Sequence, residues 1–231
     1  TFDYPYLHGE AMLKAGHSFV SASKNAAIAK AMFDTKRYAA IDLIIGKNKQ
    51  SKLGRLQPQR ELSFKTFSPA LQQALTDYCK AGGSLFVSGA YLGTDLWRNP
   101  LSTPQQQDID FAKHILKYQL RNDKAAVTGR LSTIVSPLTN DVLTLDYAAK
   151  PNSRCYAVES PDAIEPADSC AYTAFRYPEN NKSAGIVFGG NQTDHWRTVV
   201  LAVPFETIIE SKERTKLMQM ILNYLLQPSR F

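Results

Sequence analysis

Cysteine, histidine and long apolar runs are scarce in this chain, and each scarcity closes off a class of function. The three cysteines, Cys79, Cys155 and Cys170, show no C-x-x-C spacing, which argues against a zinc ribbon or a thioredoxin-like redox motif. The histidines His8, His17 and His114 stand apart without metal-ligand spacing, so no metal and no cofactor is expected. No stretch approaches the roughly 18 apolar residues of a membrane span. No apolar segment opens the chain either, and neither repeat nor low-complexity tract interrupts it.

What is present is a globular composition. With 231 residues, 44% hydrophobic and 21% charged, the chain is long enough to bury a full core. It starts at Thr1 without an initiator methionine, from which we expect that either a targeting segment or an upstream part of a longer protein has been removed. The net charge of +6 permits an anionic partner without naming one. Its distribution is uneven: Lys47, Lys49, Lys52, Arg55 and Arg60 precede the next acidic residue, Glu61. Solvated loop lysines are the simplest explanation of this run. Aliphatic and amide residues interleave them, with no aromatic stacking platform, so no nucleic-acid partner is expected. Cys79 falls on the apolar face of a predicted helix, as a small hydrophobe. An oxidising compartment would permit Cys155 and Cys170 to pair, and nothing in their spacing demands it.

Periodicity predicts a helix over Tyr4–Ala15, ended by Gly16, then a short strand at His17–Ala22 and a brief helix at Asn25–Met32. Ala40-Ile-Asp-Leu-Ile-Ile45 is a near-continuous apolar run, the pattern of a strand covered on both faces. Ser68-Pro69 reads as an N-cap and first-turn proline, and Gly82-Gly83 as the end of that helix. The strand Ser84–Ser88 follows, and Thr103-Pro-Gln-Gln106 has the form of a capping box. Between about 120 and 180 short β-like pieces punctuated by prolines suggest a β-rich insertion. Two further apolar strands and a long amphipathic helix close the chain.

The strand 84–88 runs into Gly89-Ala90-Tyr91-Leu92-Gly93, the G-x-nucleophile-x-G spacing of a strained strand-to-helix elbow. Its central residue is Tyr91. A phenol with an ordinary pKa near 10 is a poor acyl-transfer nucleophile beside a thiol or an activated hydroxyl.

These segments carry a resemblance. Gly16-His-Ser-Phe-Val-Ser21, Ile41-Asp-Leu-Ile-Ile-Gly46, Tyr78–Asp95 with its Gly-Gly-Ser-Leu-Phe-Val-Ser-Gly-Ala-Tyr-Leu-Gly core, and Val203-Pro-Phe-Glu-Thr-Ile208 resemble the class I glutamine amidotransferase-like domain. The version they resemble occurs in secreted, xanthan lyase-like proteins of Bacteroidetes. The resemblance implies a three-layer α/β/α, flavodoxin-like domain over residues 1–231, with a mainly parallel central sheet and the small β-rich insertion. It also implies a secreted, periplasmic or cell-surface setting with neighbouring domains in a longer chain. In that family a Cys at the elbow works with a His and a Glu. Carried over residue by residue, these positions hold Tyr91, Pro204 and Glu206, so glutaminase chemistry is not expected. Glu206 also has a structural explanation, since a carboxylate near the start of the last helix is favoured by the helix dipole.

Polar residues expected at the carboxyl ends of the strands are Ser21, Ser23, Lys47, Asn48, Ser88, Tyr91, Asp95, Trp97, Asn191, Asp194, His195, Trp196 and Glu206. Two functions fit them. One is a non-catalytic pseudoenzyme domain, a structural module or a glycan-binding one that meets an acidic polysaccharide or oligosaccharide through Lys47, Asn48, Ser88, Tyr91, Asp95 and Trp97. The other is an active carbohydrate lyase or hydrolase with Tyr91, His195 or Glu206 as catalytic groups and Lys47 as the stabilising cation.

Overall fold

A computed structural model describes residues 4–57, 60–98, 105–151 and 155–227, with the side chains of 52–63 outside that description. In chain order the elements are α1 (Tyr4–Lys14), α2 (Lys24–Ala29), β1 (Ala40–Gly46), β2 (Ser51–Gln57), β3 (Arg60–Phe64), α3 (Pro69–Lys80), β4 (Ser84–Gly89), α4 (Leu92–Trp97) and α5 (Gln106–Asp110). A π-helical turn (Phe111–Leu116) leads to β5 (Tyr118–Asn122), β6 (Arg130–Thr133), β7 (Thr144–Asp146), β8 (Ala163–Pro166), β9 (Ala171–Arg176), β10 (Ser183–Phe188) and β11 (Thr198–Leu201). A 3-10 turn (Phe205–Thr207) and α6 (Ser211–Leu225) complete it.

The main sheet has seven strands in the order β1-β4-β11-β10-β9-β6-β7. Only β1, β4 and β11 run parallel, while β10, β9, β6 and β7 pair antiparallel. The expected three-layer α/β/α fold around a mainly parallel sheet is therefore overturned: the sheet is mixed and curled into a half-barrel, with few helices. Connection length is the physical reason. Parallel neighbours need a crossover of about a dozen residues or more, whereas only residues 189–197 join β10 to β11 and residues 177–182 join β9 to β10. The β-rich stretch is likewise no appendage, since β6, β7 and β9 belong to the main sheet.

Alternation along β4 sends Leu85 and Val87 to one face and Phe86 to the other. Ala11 of α1 and Leu217, Met218 and Ile221 of α6 pack with Phe86, Val199 and Leu201. On the opposite face Leu71, Leu75 and Cys79 of α3 meet Leu85, Val87 and Val200, together with Phe111 and Ile115. Removing one such leucine side chain from the core costs on the order of 2–5 kcal/mol. Ser68 caps α3 by accepting from the Leu71 N–H, as its sequence predicts.

Several local expectations change. Residues 17–22 form no strand, and the basic run after Gly46 is a β2–β3 hairpin rather than a loop. The side chains of Lys52, Arg55 and Arg60 in that run, and the capping residues Thr103 and Pro104, lie outside the description. Among the described residues no disulfide joins Cys79, Cys155 or Cys170. Among the described residues no helix is long and apolar enough to cross a membrane.

Candidate functional site

The carboxyl ends of β1 and β4 and the turn after β11 meet in one corner, with α1 lying across it. The corner is organised by a residue the sequence reading passed over. His8 is buried, with Nδ1 2.6 Å from Asp42 Oδ2 on β1 and Nε2 3.1 Å from Glu206 Oε2 in the turn after β11. Both ring nitrogens face carboxylates, so both carry protons and the ring is an imidazolium. Burial alone would depress its pKa. The charge and hydrogen bond of Asp42, followed by those of Glu206, overcome that and hold it at about 9. Phe205, with its ring centroid 4.7 Å away, and Phe86 at 6.4 Å wall the imidazolium from solvent.

The other Glu206 oxygen, Oε1, accepts from the Tyr156 hydroxyl at 2.7 Å. Burial, and then the Glu206 charge, push the Tyr156 phenol far above its ordinary range. Tyr4 meets the Tyr156 ring edge-on at 5.1 Å. Gly46 makes room for this arrangement. It has φ +62°, and a Cβ there would lie 3.0 Å from the Tyr156 hydroxyl and 3.4 Å from Glu206 Oε1. Glu206 is thus engaged on both oxygens by neighbours that burial locks in place.

Tyr91 lies on the same corner, immediately before α4. Its backbone, at φ −125° and ψ 33°, is not in the left-handed region, so the strain expected of an elbow is absent there. The flanking glycines serve close packing instead. A Cβ on Gly89 would sit 2.8 Å from Ile45 Cβ, and one on Gly93 2.6 Å from Leu120 Cδ1. The Lys49 ammonium lies 4.6 Å from the Tyr91 ring centroid, a cation–π contact. Burial raises the Tyr91 phenol, with Lys47 working against the rise, so the group is neutral at neutral pH. Lys47 pairs with Glu159 at 2.7 Å, and Asn48 turns its amide onto the Ile45 carbonyl.

Beneath this surface Asp162 is fully buried and accepts from the Thr94 N–H at 2.6 Å and the Thr94 hydroxyl at 2.7 Å. Its own N–H donates to the Ala90 carbonyl. Burial lifts its carboxyl to about 6 against the pull of the Thr94 bonds. Asp162 anchors the first turn of α4 from a distant segment, a role with no local sequence signature.

The remaining candidates separate. Asp95 is buried, accepting from the Gln50 N–H and the Thr66 hydroxyl. Ser88 is fully buried within the sheet, and Trp97 packs into the core under Lys113. Ser23 caps α2, and Ser21 is exposed. Asn191, Asp194, His195 and Trp196 lie at the opposite end of the sheet from Tyr91. Phe188 pairs with Thr198, which pairs with Leu85 at the start of β4, so β10 runs antiparallel and its carboxyl end points away. There Asp194 binds Lys117, and the Trp196 ring nitrogen donates to the Ile115 carbonyl. His195 is exposed and shares no site with Tyr91 or Glu206. Among the described residues no group of His, Cys, Asp and Glu is arranged to hold a metal.

No protein-family model matches the chain, and no curated protein does either. Solved structures do resemble it. An exo-β-1,4-mannosidase from Opitutaceae bacterium strain TAV5 superposes with a TM-score of 0.56 at 9% identity, over 98% of this chain and 31% of that one. The chain thus spans about a third of the mannosidase. A cytoplasmic protein from Salmonella typhimurium superposes with a TM-score of 0.55 at 14% identity, over 95% of this chain and 85% of that one. A ThuA-like protein from Bacteroides uniformis aligns with a TM-score of 0.46 at 10% identity, over 96% and 88%. At these identities the first two likenesses concern the fold alone.

Proposed function

We propose that this chain is a non-catalytic, class I glutamine amidotransferase-like module that binds carbohydrate within a longer, secreted polysaccharide-processing protein. The observation that carries the reading is the state of Glu206. Of the three family positions it alone keeps its residue type, and it is buried and engaged by His8 and Tyr156 rather than poised beside a nucleophile. Tyr91 and Pro204 occupy the other two positions. Neither supplies a nucleophile or a base at neutral pH, because the phenol is raised and proline has no titratable group.

What the corner does present is an aromatic face with cations beside it. Tyr91 is half-buried, with Lys49 over its ring and Lys47 bonded to Glu159. Rings of this kind pack against the apolar face of a sugar, while the ammonium groups meet its carboxylates. The mannosidase supports the setting at the level of fold, since there a similar fold is one part of a longer carbohydrate enzyme.

The test is calorimetric titration with a uronate-containing polysaccharide and a neutral one, using wild type, Lys49→Ala and Tyr91→Ala. Binding of the acidic polymer, weakened in both variants and by added salt, supports the reading. Equal affinity in all three proteins, or appearance of unsaturated sugar products during the titration, refutes it.

A further inference from the structure

We infer that the outer edge of β1 is a docking site for an extended, acidic-ended β-strand of another polypeptide. The two margins of the main sheet are built in opposite ways. At one, β7 has only three residues and displays Thr144 and Asp146 to solvent, the latter paired with Arg130. Shortness and exposed charge are how sheets blunt an edge. At the other, β1 has seven residues, Ala40-Ile-Asp-Leu-Ile-Ile-Gly46, with no proline. Its one charged side chain, Asp42, is turned under α1 onto His8. Among the described residues its only strand partner is β4. Among the described residues no backbone hydrogen bond joins β1 to residues 17–38, the chain that passes nearest to it in sequence. Ala40 to Ile44 stay half-buried, although residues of the neighbouring β4 are fully buried.

The surroundings specify what fits. The segment after α1 folds back so that the Phe19 ring lies on Gly9, next to the histidine bonded to β1, and leaves Phe19 and Val20 exposed. A partner strand would therefore meet apolar side chains as well as backbone donors and acceptors. The strand is also flanked by cations: exposed Lys36 and Arg37 precede it and exposed Lys49 follows it. Two copies of this edge would oppose like charges, which disfavours self-pairing. An apolar strand with carboxylates at its ends suits both the backbone ladder and the charge, the β-augmentation mode of recognition.

The probe is a fluorescein-labelled, acetylated seven-residue peptide of alternating Val and Thr with Glu at both ends. Its controls are the Lys-ended peptide and one with a central proline. Anisotropy should show the Glu-ended peptide binding about tenfold or more tighter than the Lys-ended one, with no binding of the proline form. Hydrogen exchange should show the β1 amides that point away from β4 exchanging freely in the protein alone and protected by the peptide. The Lys36→Glu/Arg37→Glu variant, changed only at exposed positions, should lose the preference for the acidic peptide. Three results would overturn the inference: β1 amides fully protected in the free monomer, which means that the chain fills its own edge; protection that grows with protein concentration alongside dimer formation; or binding indifferent to peptide charge.

Discussion

Glu206 Oε2 and His8 Nε2 lie 3.1 Å apart, and both residues are buried. The pair ties helix α1 to the turn after β11 across 198 residues of sequence, and Asp42 extends it to β1. Removing one member of a buried, charged set leaves the others unpaired in a low-dielectric setting, which costs on the order of 3–5 kcal/mol. This corner is thus a joint of the fold, and Glu206 serves that joint.

The joint predicts a pH dependence of stability. The His8 pKa is raised from 6.5 to about 9 in the folded chain. Below the unfolded value both states hold the proton, and the contribution is fully present. As pH rises, the unfolded state releases its proton first, so stability falls through the window and the contribution is lost as pH passes the folded value. The swing is on the order of 3 kcal/mol. Chemical denaturation between about pH 6 and 9 should show this decline in wild type and its absence in His8→Gln, which starts lower. Parallel profiles in the two proteins would rule out a bound imidazolium.

Gly46 is predicted to resist substitution. Its φ of +62° is unfavourable for any residue with a Cβ, and that Cβ would crowd the Tyr156–Glu206 hydrogen bond. Gly46→Ala should cost at least about 1–2 kcal/mol from backbone conformation alone, with a further loss from displacing Tyr156. A melting temperature unchanged from wild type would refute this account.

These residues show which parts of the molecule can be read from sequence. The helix from Pro69, the strand from Ser84 and the apolar face of the last helix were legible because each rests on a local period or cap. Gly46 was legible as a strand end. His8 was not, because a lone histidine on a helix carries no signal until the fold brings Asp42 and Glu206 to it. Tyr156 was hidden for the same reason. His195 misled through direction: the sequence places it after a strand, and only the antiparallel pairing of β10 with β11 sends it to the far end of the sheet.

Asp162 gives a dependence that runs against ordinary acid denaturation. Burial raises its carboxyl from 3.8 to about 6 in the folded chain. Between these values the folded state binds more protons than the unfolded one, so this group's contribution falls as pH rises through the window. The difference amounts to about 3 kcal/mol. Asp162→Asn should remove that component, and the variant should gain on wild type between about pH 4 and 6. Carbon-13 titration of the Asp162 carboxyl, with a midpoint near its ordinary value, would contradict the prediction.

The final prediction concerns whether amidotransferase chemistry can be restored. On the proposed reading Tyr91→Cys supplies a thiol at the elbow, but Pro204 supplies no base, and an unactivated thiol is only slightly ionised at neutral pH. Adding Pro204→His supplies a base. That base still needs a carboxylate to orient it, and Glu206 already gives one oxygen to His8 and the other to Tyr156. Wild type, Tyr91→Cys and Tyr91→Cys/Pro204→His should therefore release no ammonia from glutamine, measured by a coupled dehydrogenase assay on folded protein. If the double variant turns over glutamine, Glu206 is free to leave its partners, and the buried joint does not hold it as described. If only a third change, His8→Asn, brings activity, the lock on Glu206 is what silences the site.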